Sequence, residues 1–202
     1  MHPKVKICGM TNAETIQTAI KHKVDFLGFI FYPKSPRNLS PKQAAKLTKD
    51  IPNHIGRVAV LVNETDQFIE YIKNDFDYFQ LHGNEDLKRI KEIRQKYNKK
   101  IIKVIKVTSE DSAKTYVQYD DEVDIFLFDS PAMEKSAKFE WQILTKLKIT
   151  KPYLVAGSIN INNVDEVLKY NPYGIDVSAG VESSVGVKSN EKIIEFLDKI
   201  KS

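Results

Sequence analysis

Eight short apolar, β-branched runs recur along this chain, and most are trailed by a stretch that reads as an amphipathic helix. The runs cover residues 5–8, 26–31, 58–62, 78–81, 101–107, 125–128, 153–156 and 175–177. Most are nearly continuous in apolar character, the pattern of strands buried on both faces. Helix patterns fall at 12–21, 41–50, 66–74, 86–97, 141–146, 162–169 and 191–200. Alternation of this kind predicts a parallel sheet joined by right-handed crossovers. Eight units in 202 residues fit an α/β fold near the lower size limit of the closed (β/α)8 TIM barrel, with residues 1–202 forming a single domain. A doubly wound open sheet is the alternative, weakened because no G-x-G-x-x-G follows a strand.

Local signals agree with these boundaries. Ser40-Pro41 places an N-cap before a proline at the first helical position, and Asn190-Glu191 opens the last helix in a similar way. The net charge of +4 comes from dispersed lysines; the densest group, Lys96 with Lys99 and Lys100, reads as the solvated end of a helix. No basic stripe suited to nucleic acid results. No apolar stretch approaches a membrane span. The single cysteine, Cys8, excludes an internal disulfide, and no cysteine pair suggests zinc. Residues 1–4 lead straight into a strand without a signal-peptide core, so the expected compartment is the cytoplasm.

Barrels of this type display chemistry where strands end. That rule selects Cys8-Gly9, the loop Tyr32-Pro33-Lys34-Ser35-Pro36-Arg37, Asn63, His82-Gly83, Asp129-Ser130, Gly157-Ser158 and Ser178-Ala179-Gly180. A thiol at Cys8 and a carboxyl at Asp129, each closing a strand, suggest a base and an acid facing one pocket. A lone cysteine is as readily a small buried hydrophobe. Glycine-containing turns after the seventh and eighth strands can present backbone N–H groups and helix dipoles to a phosphate. They also serve turns without any ligand. His82 fits a core histidine equally well, and Asp176 a buried hydrogen-bond acceptor. Arg37 fits a loop salt bridge or, through its planar fork, a carboxylate ligand.

Taken together, the motifs resemble one family. Lys6-Ile7-Cys8-Gly9-Met10-Thr11 is similar to the opening motif of the phosphoribosylanthranilate isomerases. Further segments match in order: residues 25–31 with Ser35-Pro36-Arg37, then Gln80-Leu81-His82-Gly83, Leu127-Phe128-Asp129-Ser130, Ala156-Gly157-Ser158-Ile159-Asn160 and residues 174–182. The resemblance runs nearly end to end. It implies a (β/α)8 barrel converting N-(5′-phosphoribosyl)anthranilate to 1-(o-carboxyphenylamino)-1-deoxyribulose 5-phosphate by an Amadori rearrangement, with no metal or organic cofactor. Its roles make Cys8 the general base, Asp129 the general acid and Arg37 the ligand of the anthranilate carboxylate. Gly157-Ser158 and Ala179-Gly180 would hold the phosphate, while His82 and Asp176 line the substrate site. The partner is a small phosphorylated molecule, and the assembly a monomer or homodimer, with monomer the default.

The chemistry suits those residue types. Ring opening needs a proton on the sugar oxygen, so Asp129 must enter protonated, its pKa raised by burial and by any neighbouring carboxylate. Cations near Cys8 would favour its thiolate.

Two departures from the family pattern stand out. The usual Gly-Gly-Thr-Gly segment after the aspartate is replaced by a shorter stretch, 130–141, without glycine, in which Glu140 takes the place of an aspartate. Lys135 or Lys138 could compensate by reaching the phosphate. Ser158 stands where a second glycine is usual, which strains the backbone if its φ is positive. A competing reading is a non-catalytic barrel that binds a phosphorylated metabolite. Other phosphate-binding barrels of tryptophan synthesis do not explain the Cys8/Asp129 pairing.

Overall fold

The computed structural model describes residues 2–129 and 141–201. The expectations placed on residues 130–140, Lys135 and Lys138 among them, lie outside the described residues.

Eight parallel strands close into a barrel in chain order: β1 (Lys4–Cys8), β2 (Phe26–Phe31), β3 (Gly56–Leu61), β4 (Tyr78–Leu81), β5 (Lys100–Lys106), β6 (Ile125–Asp129), β7 (Tyr153–Ala156) and β8 (Gly174–Val177), with β8 pairing back onto β1. Each predicted run is a strand, displaced by two residues at most. The protein is therefore an α/β barrel of the (β/α)8 kind. Helices α1 (Ala13–Lys21), α2 (Pro41–Thr48), α3 (Asp66–Ile72), α4 (Leu87–Tyr97), α5 (Glu110–Lys114), α6 (Val164–Leu168) and α7 (Asn190–Lys201) lie along the connections.

Two apolar layers follow from the alternation of side chains along each strand. Phe26, Val58, Ile102, Val104, Ile125, Leu127, Leu154 and Ala156 fill the barrel interior. Residues of opposite parity, such as Ile7, Phe29, Phe79 and Phe126, pack outward against the helices. Because both faces are covered, the strands read as continuous apolar runs.

The end of the barrel where the strands begin is held in register by aspartates standing just before or between them. Asp25 accepts from Val5 N at 2.8 Å, Asp77 from Arg57 N at 3.0 Å, and Asp124 from Ile101 N at 2.7 Å. Each carboxylate thus ties one strand to the preceding one. A cavity of about 540 Å³ opens at this end beside Lys4, Asp25, Tyr78 and Lys100. It is remote from the strand termini expected to carry chemistry.

Some local details differ from the sequence reading. Ser40 caps α2 in a full capping box with Gln43, as its sequence predicts. In α7 the capping hydroxyl belongs to Ser189, which accepts from Lys192 N at 3.3 Å, one residue earlier than expected. Asn190 instead bridges to α1 through Thr18 and Glu14. Segment 141–146 is a 3-10 turn rather than an α-helix, and α2 ends at Thr48, short of residue 50. Lys99 and Lys100 do not close a helix: α4 stops at Tyr97, Asn98 turns left-handed at φ 49°, and Lys100 begins β5. The connection after β5 carries α5 and a 3-10 segment, which the sequence reading missed because Ala113 is the sole buried residue of α5. A small hairpin, β9 (Glu182–Ser184) with β10 (Val187–Lys188), was also missed.

Candidate active site

The side chains that point inward at the ends of the strands change from apolar to polar. Cys8 on β1, Asp129 on β6 and Asp176 on β8 share one cavity of about 300 Å³ with His82 just beyond β4, Arg37 beyond β2, and the turns Gly157-Ser158 and Ala179-Gly180. The nine residues to which the resemblance gives roles therefore meet at one site, whereas Asn63, also at a strand end, does not line it. Gln80, two residues before His82 on the same inward face, joins them.

Beneath the cavity lies an ion pair the sequence reading did not use. Lys6 is fully buried and in register with Asp176, to which its ammonium donates two hydrogen bonds of 2.9 Å. Burial alone would lower its pKa, but the Asp176 carboxylate and Cys8 outweigh this and hold it above its ordinary value. The signal was available in the sequence. A lysine inside an apolar run, two residues before Cys8, must share the inward face of the strand with it.

Cys8 is 7% exposed. Burial pushes its thiol above the ordinary value, opposed by the positive charge of Lys6. Asp129 is pushed up to about 7, first by burial and then by the negative charge of Asp176. It therefore keeps its proton to near neutral pH. His82 goes the other way, down to about 4, through burial and the nearby Lys6 and Lys106 charges. It is therefore neutral at physiological pH.

Arg37 forms a two-pronged pair with Glu182, Nε to Oε1 and Nη2 to Oε2, each at 2.6 Å. Glu182 also accepts from Lys188 Nζ at 2.6 Å and Gly186 N at 3.1 Å. Burial works against its charge, but these partners hold its pKa down at about 2. The salt bridge anticipated for Arg37 is thus real, and it leaves the Nη1/Nη2 edge of the guanidinium without a carboxylate partner among the described residues. The hairpin β9–β10 supplies this support, so its missed elements matter to the site.

The two turns meet edge to edge. A Cβ on Gly180 would stand 2.1 Å from the carbonyl oxygen of Ile159, so glycine is needed for the close approach. Gly157 and Ser158 both have positive φ, 103° and 51°. Ser158 therefore carries the left-handed backbone that favours glycine. Its carbonyl accepts from Asn160 Nδ2 at 3.2 Å and Asn163 Nδ2 at 3.0 Å, which fixes the turn. The N–H groups of Gly157, Ser158, Ala179 and Gly180 bond to no other described residue, the arrangement a phosphate would satisfy.

Among the described residues no cluster of three His, Cys, Asp or Glu side chains could hold a metal, and no helix is long and apolar enough to cross a membrane.

Comparison with known proteins points to the same chemistry. The family model of N-(5′-phosphoribosyl)anthranilate (PRA) isomerase matches residues 5–199. The N-(5′-phosphoribosyl)anthranilate isomerase of Rhizobium etli is 37% identical over 214 residues, covering 100% of this chain and 96% of that one. That of Petrotoga mobilis is 37% identical over 206 residues, covering 98% and 97%. The crystal structure of the Thermotoga maritima phosphoribosyl anthranilate isomerase superposes with a TM-score of 0.89 at 30% identity, covering 98% of both chains. A second structure, of such an isomerase with reduced 1-(o-carboxyphenylamino)-1-deoxyribulose 5-phosphate, superposes at 0.86. The chain belongs to the N-(5′-phosphoribosyl)anthranilate isomerase family.

Proposed function

We propose that this protein isomerises N-(5′-phosphoribosyl)anthranilate to 1-(o-carboxyphenylamino)-1-deoxyribulose 5-phosphate with Asp129 as acid and Cys8 as base, in tryptophan biosynthesis. The observation that carries the assignment of roles is that a carboxyl held protonated up to about 7 and the single thiol of the chain line one cavity. The protonated Asp129 gives its proton to the ribose ring oxygen. The C1′–O bond breaks, and the anilino nitrogen pair forms a C1′=N iminium. The Cys8 thiolate then takes the C2′ proton. The electrons of that C–H bond form C1′=C2′, and the iminium pair returns to nitrogen. The resulting enolamine tautomerises to the 2′-ketone. This is acid–base work without a covalent intermediate.

The free edge of Arg37 takes the anthranilate carboxylate in a paired fashion. The N–H groups of Gly157, Ser158, Ala179 and Gly180 take the phosphate. His82, uncharged, and Asp176, behind Lys6, border the sugar. A thiol acting as base suits the reducing cytoplasm. The assembly we propose is a monomer, because Tyr71, Val117 and Tyr173 are exposed singly and Val185 with Val187 form only a small apolar tip.

The test follows the loss of anthranilate fluorescence from freshly generated substrate with wild type, Cys8→Ala and Asp129→Asn. Each variant is expected to lose about 10²-fold or more in turnover while remaining folded. Near-wild-type turnover in either variant removes that residue from its role. Binding without turnover by the wild type would favour the metabolite-binding barrel.

A further inference from the structure

The Lys6–Asp176 pair has a third neighbour. Gly28 on β2 is in register with Cys8, and the space its missing Cβ would occupy is bordered by Cys8 Sγ and Lys6 Nζ, each 3.1 Å from that point. Thiol and ammonium therefore face each other across a glycine, on one inward face of β1. Any side chain at position 28 would separate them.

A fold that needed only packing could carry apolar side chains at these positions without losing stability, because taking a lysine and a carboxylate out of water costs several kcal/mol. The pair calls for a chemical reason. We propose that Lys6 is the positioning residue of the acid–base machinery: its ammonium, clamped by both Asp176 oxygens, stands over Gly28 against Cys8 Sγ and stabilises the thiolate that takes the C2′ proton. This inference rests on the reading of Cys8 as the base.

The charged groups around Cys8 bear it out element by element. Lys6 comes from β1, Asp176 from β8, Lys188 from β10 and Arg37 from the loop after β2. Arg37 and Lys188 are both engaged by Glu182, and Lys188 also donates to Ser178 O and Oγ. Lys6 is the strongest of the influences that oppose the burial of the thiol. It also acts on His82, just beyond β4, and on Asp129 at the end of β6. One buried ammonium thus sits under the base, the acid and the neutral histidine together. It lowers the cost of a negative charge on Sγ at the moment the proton is removed. Asp176 keeps that ammonium in place and, being negative itself, adds to the pressure that keeps Asp129 protonated.

Because Cys8 is the only cysteine, its ionisation can be read directly from thiolate absorbance near 240 nm against a Cys8→Ala blank. The experiment compares wild type with Lys6→Met. Removing a unit charge at this range is expected to raise the thiolate midpoint by about one to three units. In turnover, Lys6→Met is expected to lose at least about tenfold in kcat with KM nearly unchanged, and the alkaline limb of its pH profile should move up with the thiolate. Should Lys6→Met fail to fold because Asp176 is left unpaired, Lys6→Met/Asp176→Asn removes both charges. A smaller upward shift is then expected, since Lys6 acts on the thiol more strongly than Asp176 does. An unchanged midpoint in whichever variant folds overturns the proposal. The absorbance needs no turnover, so it tests Lys6 separately from the role of Cys8, which Cys8→Ala decides.

Discussion

His82 Nε2 stands 3.6 Å from Asp129 Oδ2, beyond hydrogen-bonding distance, with a neutral imidazole facing a carboxyl that is protonated up to about 7. The imidazole therefore offers Asp129 no ion pair. Its partner Cys8 ionises above the ordinary thiol value. In the proposed mechanism the reactive form has Asp129 protonated and Cys8 ionised, and it is then a minority at every pH. Below about 7 its population rises about tenfold per pH unit, as thiolate forms. Between there and the Cys8 pKa it is flat, because each gain in thiolate is matched by a loss of protonated Asp129. Above the Cys8 pKa it falls. A profile of kcat/KM against pH should show this plateau, with its acid-side break near 7. A narrow bell centred well below 7 would contradict it.

The raised pKa of Asp129 also carries a stability cost with a definite sign. Its carboxyl has an ordinary value of 3.8 when unfolded and about 7 when folded, so the folded state holds the proton more tightly. That contribution is fully present below 3.8 and is lost as pH rises through 7. Asp129→Asn removes the titration. The variant should gain on the wild type between acid and neutral pH, by on the order of 2 kcal/mol at pH 8 after allowance for the partial exposure of the side chain. Urea titrations at pH 4.5 and 8 read the difference. Equal gaps at both pH values would mean that the carboxyl is not perturbed.

Arg37 and Glu182 make a separable prediction. In the proposed mechanism Arg37 holds the substrate carboxylate and takes no part in proton transfer, so in Arg37→Ala KM should rise about 10- to 100-fold with little change in kcat. Glu182→Gln keeps the guanidinium but loosens its aim, and should give a smaller rise. Arg37→Lys should resemble Arg37→Ala, because an ammonium cannot engage Glu182 and a substrate carboxylate through two flat edges. An Arg37→Ala variant with unchanged KM would leave the arginine as support for the hairpin alone.

The junction of the two turns can be probed at Gly180. Gly180→Ala forces a Cβ against the Ile159 carbonyl, a backbone atom that cannot swing aside. The turns after β7 and β8 must then part, with a stability loss of about 1–3 kcal/mol. KM should rise more than kcat falls, and inorganic phosphate should inhibit the variant less than the wild type. Unaltered phosphate inhibition would place the anion elsewhere.

The barrel was legible because a strand covered on both faces leaves a plain signature, and eight of them at regular spacing admit few arrangements. The proposed catalytic positions were legible because a barrel concentrates polar groups where strands end: Cys8 and Asp129 each close an apolar run. Lys6 was harder to see. Its charge lies within a run, and only the register of β1 with β8 shows that Asp176 neutralises it. Glu182 and Lys188 depend on a hairpin whose strands hold three and two residues, too short to leave a period. The Ser158 question, open in the sequence, turns on a single backbone angle, φ 51°.

A second buried pair braces the site from outside the barrel. Lys103, facing outward on β5, donates to Glu85 Oε2 at 3.1 Å and to the Gly83 carbonyl at 3.2 Å, and the Lys103 and Glu85 side chains are almost fully buried. Glu85 Oε1 accepts from Asn63 N at 2.8 Å and Gly83 N at 3.2 Å, so one carboxylate gathers the turns after β3 and β4. His82 is the residue immediately before Gly83. Lys103→Met would leave Glu85 charged, buried and without its cation, which costs about 3–5 kcal/mol. Lys103→Met/Glu85→Gln retains an acceptor for both N–H groups and should recover part of that loss. Because the slack falls next to His82, kcat should also fall in the single variant and partly return in the double. Urea denaturation with parallel turnover measurements decides the matter. A loss below about 1 kcal/mol in Lys103→Met would show that water reaches Glu85 and that the turn after β4 is held by its backbone bonds alone.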